Sequence, residues 1–161
     1  MHAPKPTDSA RKPVILVVDD EANFRSGVVR QLKKAGFETM EAADGSEAIF
    51  TFAEHNEEID AVLLDLVMPV TNGREAMRLL RYYSPNLPIV LTTGYQSAEA
   101  ARIQQDERFV GFLAKPFDAA DLAREMGRII EERERDWDVR VTPKSSLKAI
   151  ASSRNPDKDH D

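Results

Sequence analysis

Val14-Ile15-Leu16-Val17-Val18-Asp19-Asp20 is an apolar run that ends in two adjacent acids, and Ala61-Val62-Leu63-Leu64-Asp65 ends in another. A further run, Phe109-Val110-Gly111-Phe112-Leu113-Ala114, leads into Lys115-Pro116. Read as parallel strands of one sheet, these runs send Asp19, Asp20, Asp65 and Lys115 out of a single carboxyl edge. Open α/β sheets bind their ligands at that edge. Clustered carboxylates beside one lysine describe a cation and phosphate site.

Two more runs, Phe37 to Ala42 and Ile89 to Thr92, complete a series of five, and helix-like stretches separate them. That alternation predicts a parallel sheet with right-handed crossovers. The runs at residues 14–18, 59–64 and 89–92 are continuously apolar, as strands covered on both faces are, so they belong at the centre. Phe37-Glu38-Thr39-Met40-Glu41-Ala42 alternates and belongs at an edge. Phe24, Val28, Leu32 and Ala35 mark the inner face of the first helix, which Gly36 ends. The second helix faces inward with Ala48, Ile49 and Phe52, and the third with Ala76, Met77 and Leu80. The fourth, residues 97–105, offers only Ala98, Ala101 and Ile103 and is expected to be the least anchored. The fifth opens with Asp118 as N-cap and buries Leu122, Met126, Ile129 and Ile130. Residues 1–12 and 135–161 are polar and expected to be disordered flanks of a domain at 13–134. Within the second flank, residues 146–151 have the mixed character of a short helical segment.

Composition removes several function classes. Hydrophobic residues at 42% and charged ones at 31% describe an ordinary globular chain. A formal net charge of -6 argues against a broad grip on nucleic acid, which calls for a basic face. The lack of cysteine excludes disulfides, thiolate metal sites and a cysteine nucleophile. No run approaches the ~20 apolar residues of a membrane span, and residues 1–13 lack the apolar stretch of a signal peptide. The expected setting is cytoplasmic. Neither a Gly-x-x-x-x-Gly-Lys loop nor a Gly-x-Gly-x-x-Gly turn follows the first strand, so nucleotide binding is not expected.

Three acids at one edge oppose each other's ionisation, and a divalent cation relieves them. Magnesium fits best, because it takes oxygen from one or two carboxylates, keeps several waters and shares phosphate with the protein. No histidine lies at a strand end, which argues against zinc. A carboxylate can also attack a phosphoryl group and hold it as an acyl phosphate. Asp65 stands alone at its strand end and suits that role, with Asp20 a direct metal ligand and Asp19 acting partly through water. Lys115 supplies a point charge for phosphoryl oxygens, with Pro116 shaping the loop behind it. Thr93 offers a hydroxyl at the same edge. Each residue also has a plainer reading. The acidic pair could cap the first helix, Lys115-Pro116 could be an ordinary strand exit, Thr93 could satisfy a backbone group, and Phe112 could be core.

Taken in order, Val17-Val18-Asp19-Asp20-Glu21, Leu63-Leu64-Asp65-Leu66-Val67-Met68-Pro69 with Asn72-Gly73, Leu91-Thr92-Thr93-Gly94-Tyr95 and Phe112-Leu113-Ala114-Lys115-Pro116-Phe117 resemble the receiver domain of bacterial two-component response regulators. The resemblance spans about residues 12 to 133. It implies a flavodoxin-like (βα)5 three-layer sandwich with strand order 2-1-3-4-5, an order of which a chemotaxis receiver is a standard example. It further implies an acidic pair at Asp19 and Asp20, a phosphoacceptor at Asp65, a switch hydroxyl at Thr93, a switch aromatic at Phe112 and the site lysine at Lys115. A Mg²⁺ contact from the Val67 backbone carbonyl is also implied. The implied phosphodonor is a histidine kinase or histidine phosphotransfer protein, and the implied output is an unidentified protein met at the face of the fourth helix, fifth strand and fifth helix. Two departures from the family pattern stand out. Gly94 stands where alanine is frequent, and the bulk of Val67 and Tyr95 beside the site is expected to slow dephosphorylation. Less favoured functions are the receiver portion of a longer regulator or hybrid kinase, a phosphorylation-independent pseudo-receiver, and an aspartyl phosphatase. The last typically carries a second acid two residues after its nucleophile, where this chain has Val67.

Overall fold

The computed structural model describes residues 10–70, 72–94 and 98–153, with residues 138–153 as helical backbone alone. The elements are β1 (Val14–Val18), α1 (Ala22–Lys34), β2 (Glu38–Ala42), α2 (Gly45–His55), β3 (Ala61–Asp65), α3 (Gly73–Tyr83), β4 (Ile89–Thr93), α4 (Ala98–Asp106), β5 (Val110–Ala114) and α5 (Ala119–Ser153). All strand pairs are parallel and the order is β2-β1-β3-β4-β5. The alternating strand β2 lies at an edge, and the three continuously apolar strands fill the centre.

Side-chain alternation along the strands divides the interior in two. Leu16, Val18, Val62 and Leu64 face the layer holding Phe52, Met77, Leu80 and Ile103. Ile15, Val17, Ala61 and Leu63 face Val28, Leu32, Leu122, Met126 and Ile129. The sheet is therefore the middle of three layers, with α2, α3 and α4 on one side and α1 and α5 on the other.

Local chemistry sets the helix ends. Asp44 accepts from the Glu47 N–H at 2.8 Å, Asn72 from Glu75 at 2.8 Å, and Asp118 from Asp121 at 2.7 Å. Each supplies an oxygen to an otherwise orphaned first-turn donor. Gly36, with φ of +99°, ends the first crossover in the left-handed region that favours glycine.

The interior differs from the sequence expectation in three places. Ala35 is exposed as the C-cap of α1 rather than buried. In α4 the buried residues are Ala100 and Ile103, while Ala98 and Ala101 are exposed. The reason is geometric: a residue two before Ile103 lies about 200° round the helix, whereas Ala100 shares its face. α5 runs as one helix through Glu131–Arg135 to Ser153, so residues 135–153 are helical where a disordered tail or linker was expected. Pairs such as Arg128–Glu132 and Arg135–Glu131 lie at i,i+4 spacing on this stretch, which favours helix. Residues 154–161 lie outside the described ones.

Candidate functional site

Strand register brings the predicted residues together. Val18 pairs with Leu64 and Asp65 with Thr92, so the residue after β1 comes level with the last residue of β3. Thr93 pairs with Ala114, which places Lys115 one step past the same edge. Carboxylate oxygens of Asp19, Asp20 and Asp65 all lie within 4.8 Å of one another.

Their surroundings differ. Asp19 is buried, and its Oδ1 accepts from the Glu21 N–H at 2.9 Å while its Oδ2 accepts from Lys115 Nζ at 3.0 Å. Asp65 is also buried, with Oδ1 accepting from the Val67 N–H at 3.0 Å and Oδ2 from Lys115 Nζ at 3.3 Å. Asp20 is exposed, and no hydrogen bond to its carboxylate occurs among the described residues. The capping alternative for the acidic pair fails, because Glu21 occupies the N-cap of α1 without a side-chain bond. Three carboxylates in reach of one point, one of them turned to solvent, form the oxygen-donor set that a hard divalent cation takes.

One lysine does not balance these acids. Burial pushes the Asp65 carboxyl above its ordinary value, and the charge of Asp19 adds to this, against the Val67 N–H and the Lys115 charge. Burial pulls Lys115 down, but its bond to Asp19 and the charges of Asp65 and Asp19 outweigh this and leave it raised. Lys115 therefore stays cationic while Asp65 is short of positive charge.

The loops explain how the chain reaches this geometry. After β3 the backbone doubles back so tightly that a Cβ on Gly73 would sit 2.2 Å from the Asp65 carbonyl oxygen, and the Gly73 N–H donates to the Leu66 carbonyl at 3.0 Å. Asn72-Gly73 is thus one device, a cap for α3 and a close approach behind the acceptor strand. The Lys115 N–H donates to the Thr93 carbonyl at 2.7 Å, tying the ends of β4 and β5, and the Lys115–Pro116 peptide is cis. Thr93 is buried at this edge. Phe112 is half-buried against the α2, α3 and α4 side of the core. The backbone N–H of Phe112 donates to Glu125 at 3.1 Å, and Arg128 holds that carboxylate with contacts of 3.1 and 2.9 Å. Val67 exposes 63% of its surface beside the acids. Tyr95 lies outside the described residues.

A family model for the response regulator receiver domain matches residues 15–126. This chain belongs to that family. It is 36% identical over 131 residues to the sensor kinase CckA of Brucella abortus, across 81% of this chain and 14% of that protein. It is 31% identical over 128 residues to the transcriptional regulatory protein PrrA of Mycobacterium tuberculosis, across 75% of this chain and 51% of that one. The chain thus spans about half or less of these curated relatives. Among solved structures it is similar to a response regulator receiver domain protein of Clostridium thermocellum, with a TM-score of 0.71, 27% identity, and coverage of 76% and 97%. Receiver domains are phosphoacceptor switches that meet histidine kinases or phosphotransfer proteins, and the acidic cluster of this one can hold a metal ion. No described helix is long and apolar enough to cross a membrane.

Two residues of this receiver site were not singled out from sequence. Phe24 places its ring 4.2 Å from Lys115 Nζ and packs edge-on against Phe117 at 5.7 Å. It fixes the lysine through a cation–π contact. Arg25 donates to the Asp19 carbonyl at 2.6 Å and pairs with Glu41 at 3.0 Å, bracing the β1 exit. Helical periodicity reports only that Phe24 faces inward, and Arg25 has no local signature.

Proposed function

We propose that this receiver domain switches on Mg²⁺-dependent phosphorylation of Asp65 by a phosphohistidine partner, a histidine kinase or histidine phosphotransfer protein. A carboxylate oxygen of Asp65 attacks phosphorus, forming a P–O bond as the P–N bond to the imidazole breaks. The imidazole keeps the bonding electron pair and takes up a proton. The observation that carries this reading is Asp65 itself: buried, raised, aimed by the Val67 N–H, and faced by Lys115 at 3.3 Å.

Asp20 as direct ligand, Asp19 as an indirect one, Asp65 and the Val67 backbone carbonyl would hold the Mg²⁺. When bound, the ion offsets charge developing on the phosphoryl oxygens. The exposed, unbonded Asp20 carboxylate and the doubly bonded Asp19 support this division of labour. The domain is a switch rather than a turnover enzyme, although it assists its own phosphoryl transfer and loss. Thr93 donates its hydroxyl to a phosphoryl oxygen, and Phe112 turns further inward, remodelling the α4, β5 and α5 face for a downstream protein.

Magnitudes restrict how far this device moves. A shift from 1:99 to 99:1 requires about 5.5 kcal/mol of differential interaction, while a hydrogen bond to a charged group contributes roughly 1.5–3 kcal/mol. Lys115 already touches Asp65, so its differential contribution is small and Thr93 carries most of it. The downstream partner completes the shift. The domain is taken as residues 13–134, residues 135–161 as tail or linker, and the setting as cytoplasmic, without direct contact to nucleic acid or membrane. A second reading, in which this is the receiver portion of a longer regulator or hybrid kinase, is favoured by the 14% and 51% shares of its relatives that it spans.

Incubation with acetyl phosphate and Mg²⁺, followed by intact mass measurement, tests the reading. One phosphoryl group is expected on the wild type and none on Asp65→Asn or in chelator; label persisting in both would overturn it. Val67→Asn is expected to shorten the lifetime of that label severalfold by admitting water, and an unchanged decay would remove the shielding role of Val67.

A further inference from the structure

Away from the acidic edge, α3 and α4 leave between them a groove of about 520 Å³. Met77 and Ile103, both buried, form its apolar floor, and Leu79 and Tyr82 stand on its rim with 39% and 68% exposure. Ion pairs close both ends, Arg74 to Glu99 at 3.0 Å and Arg81 to Glu107 at 3.2 Å. Arg81 is part of the framework, since it also donates to the Leu87 and Phe109 carbonyls at 2.9 and 3.1 Å. Arg78 and Arg102 are different. Both line the groove, both are exposed, and neither has an ion pair among the described residues.

We propose that this groove docks an acidic amphipathic helix of a partner protein. On a chain of net charge -6, the four guanidinium groups lining this groove outnumber the carboxylates of Glu99, Asp106 and Glu107, and the exposed Arg78 and Arg102 give an anionic segment a distinct place to settle. A small inorganic anion would satisfy them but leave Leu79 and Tyr82 in water. A helix carrying acids beside apolar residues covers both, and grooves between helices accept such a segment through anchors one turn apart. Leu79 and Tyr82 stand three residues apart on α3 and Arg78 and Tyr82 four apart, so they share one face. Exposed tyrosine and arginine are also the residues that most often dominate binding energy at interfaces. This groove opens on the α3 side of α4, while the output face assigned above lies on its β5 and α5 side, so the two share that helix.

Photo-crosslinking tests the proposal. The full chain carrying p-benzoylphenylalanine in place of Tyr82 is irradiated in its native host, and crosslinked peptides are sequenced by mass spectrometry. The expected product is a partner segment of net negative charge with apolar residues at helical spacing. A synthetic peptide of that segment is expected to bind at least tenfold more weakly to the Arg78→Glu, Arg102→Glu double variant. Arg78→Gln with Arg102→Gln is expected to give a smaller loss of the same sign, which guards against misfolding of the charge reversal. A neutral or basic segment, a second copy of this chain, nucleic acid, no crosslink, or binding indifferent to both variants would overturn it.

Discussion

Two buried aspartates stand at opposite ends of the same strands. Asp65 closes β3 at the carboxyl edge and Asp60 precedes it at the amino edge, with exposures of 5% and 4%. Burial does not tell them apart, but their partners do. Asp60 receives a forked pair of bonds from Arg11 at 3.0 and 2.9 Å and the Val14 N–H at 2.7 Å, and buried Arg133 adds its field. Asp65 shares one lysine with Asp19 and lies near Asp20 as well. A carboxylate whose charge is answered by the protein fastens the structure. One whose charge is left partly unanswered is kept for something that arrives from outside.

The strongest contrast is chemical. Asp60→Ala should leave the phosphoryl label per folded molecule unchanged, whereas Asp65→Asn should abolish it; equal labelling of the two variants would erase the distinction. The next is stability. Removing Asp60 strands Arg11 and the Val14 N–H, which costs about 2 kcal/mol in urea unfolding, less than the roughly 3–5 kcal/mol of a fully buried pair because the part-exposed Arg11 can return to water. A third concerns Mg²⁺, which should stabilise the wild type by about 1.4 kcal/mol at ten times its Kd. Thermal scans should lose that gain in Asp20→Asn and keep it in Asp60→Ala.

The smallest effect has the opposite sign to ordinary core damage. Burial raises Asp65, so the folded state holds that proton more tightly than the unfolded chain, and its ionisation opposes folding at neutral pH. Metal-free Asp65→Asn should therefore melt higher than wild type, by roughly 2–4 °C for each kcal/mol relieved. The gap should close as pH falls through the folded value and vanish below the ordinary 3.8, where both states are protonated. A variant that melts lower at pH 7 would place Asp65 with Asp60 as a fastening residue.

Strand ends were the legible part of this protein. Apolar runs terminating in Asp19, Asp65 and Ala114 fix both the sheet and the membership of its carboxyl edge, because period-2 structure leaves little freedom in where the next residue emerges. Helix facing was less legible in α4, where three of the first four residues are alanine and side-chain type alone does not distinguish Ala100 from Ala98 or Ala101. The helical course of residues 135–153 was legible only at 146–151, because the polar composition of the rest reads as solvated whether helical or not. Phe24 and Arg25 stayed unseen because their roles exist only across elements: one contacts a lysine that is distant in sequence, the other a backbone carbonyl and β2. The amino-edge fork from Arg11 to Asp60 was equally silent, since nothing local in either residue announces the other.

Glu125 has a consequence for how such molecules keep apart. A Cβ on Gly111 would lie 2.4 Å from its Oε2, so the bare backbone of β5 lets the carboxylate lie against the strand and occupy the Phe112 N–H. A stray strand arriving at that border finds a donor already taken and a negative charge in its path. At the opposite border, β2 is short and presents Glu38 and Glu41 to solvent. Both margins of the sheet therefore resist edge-to-edge growth, each by a carboxylate set where a foreign strand would have to pair.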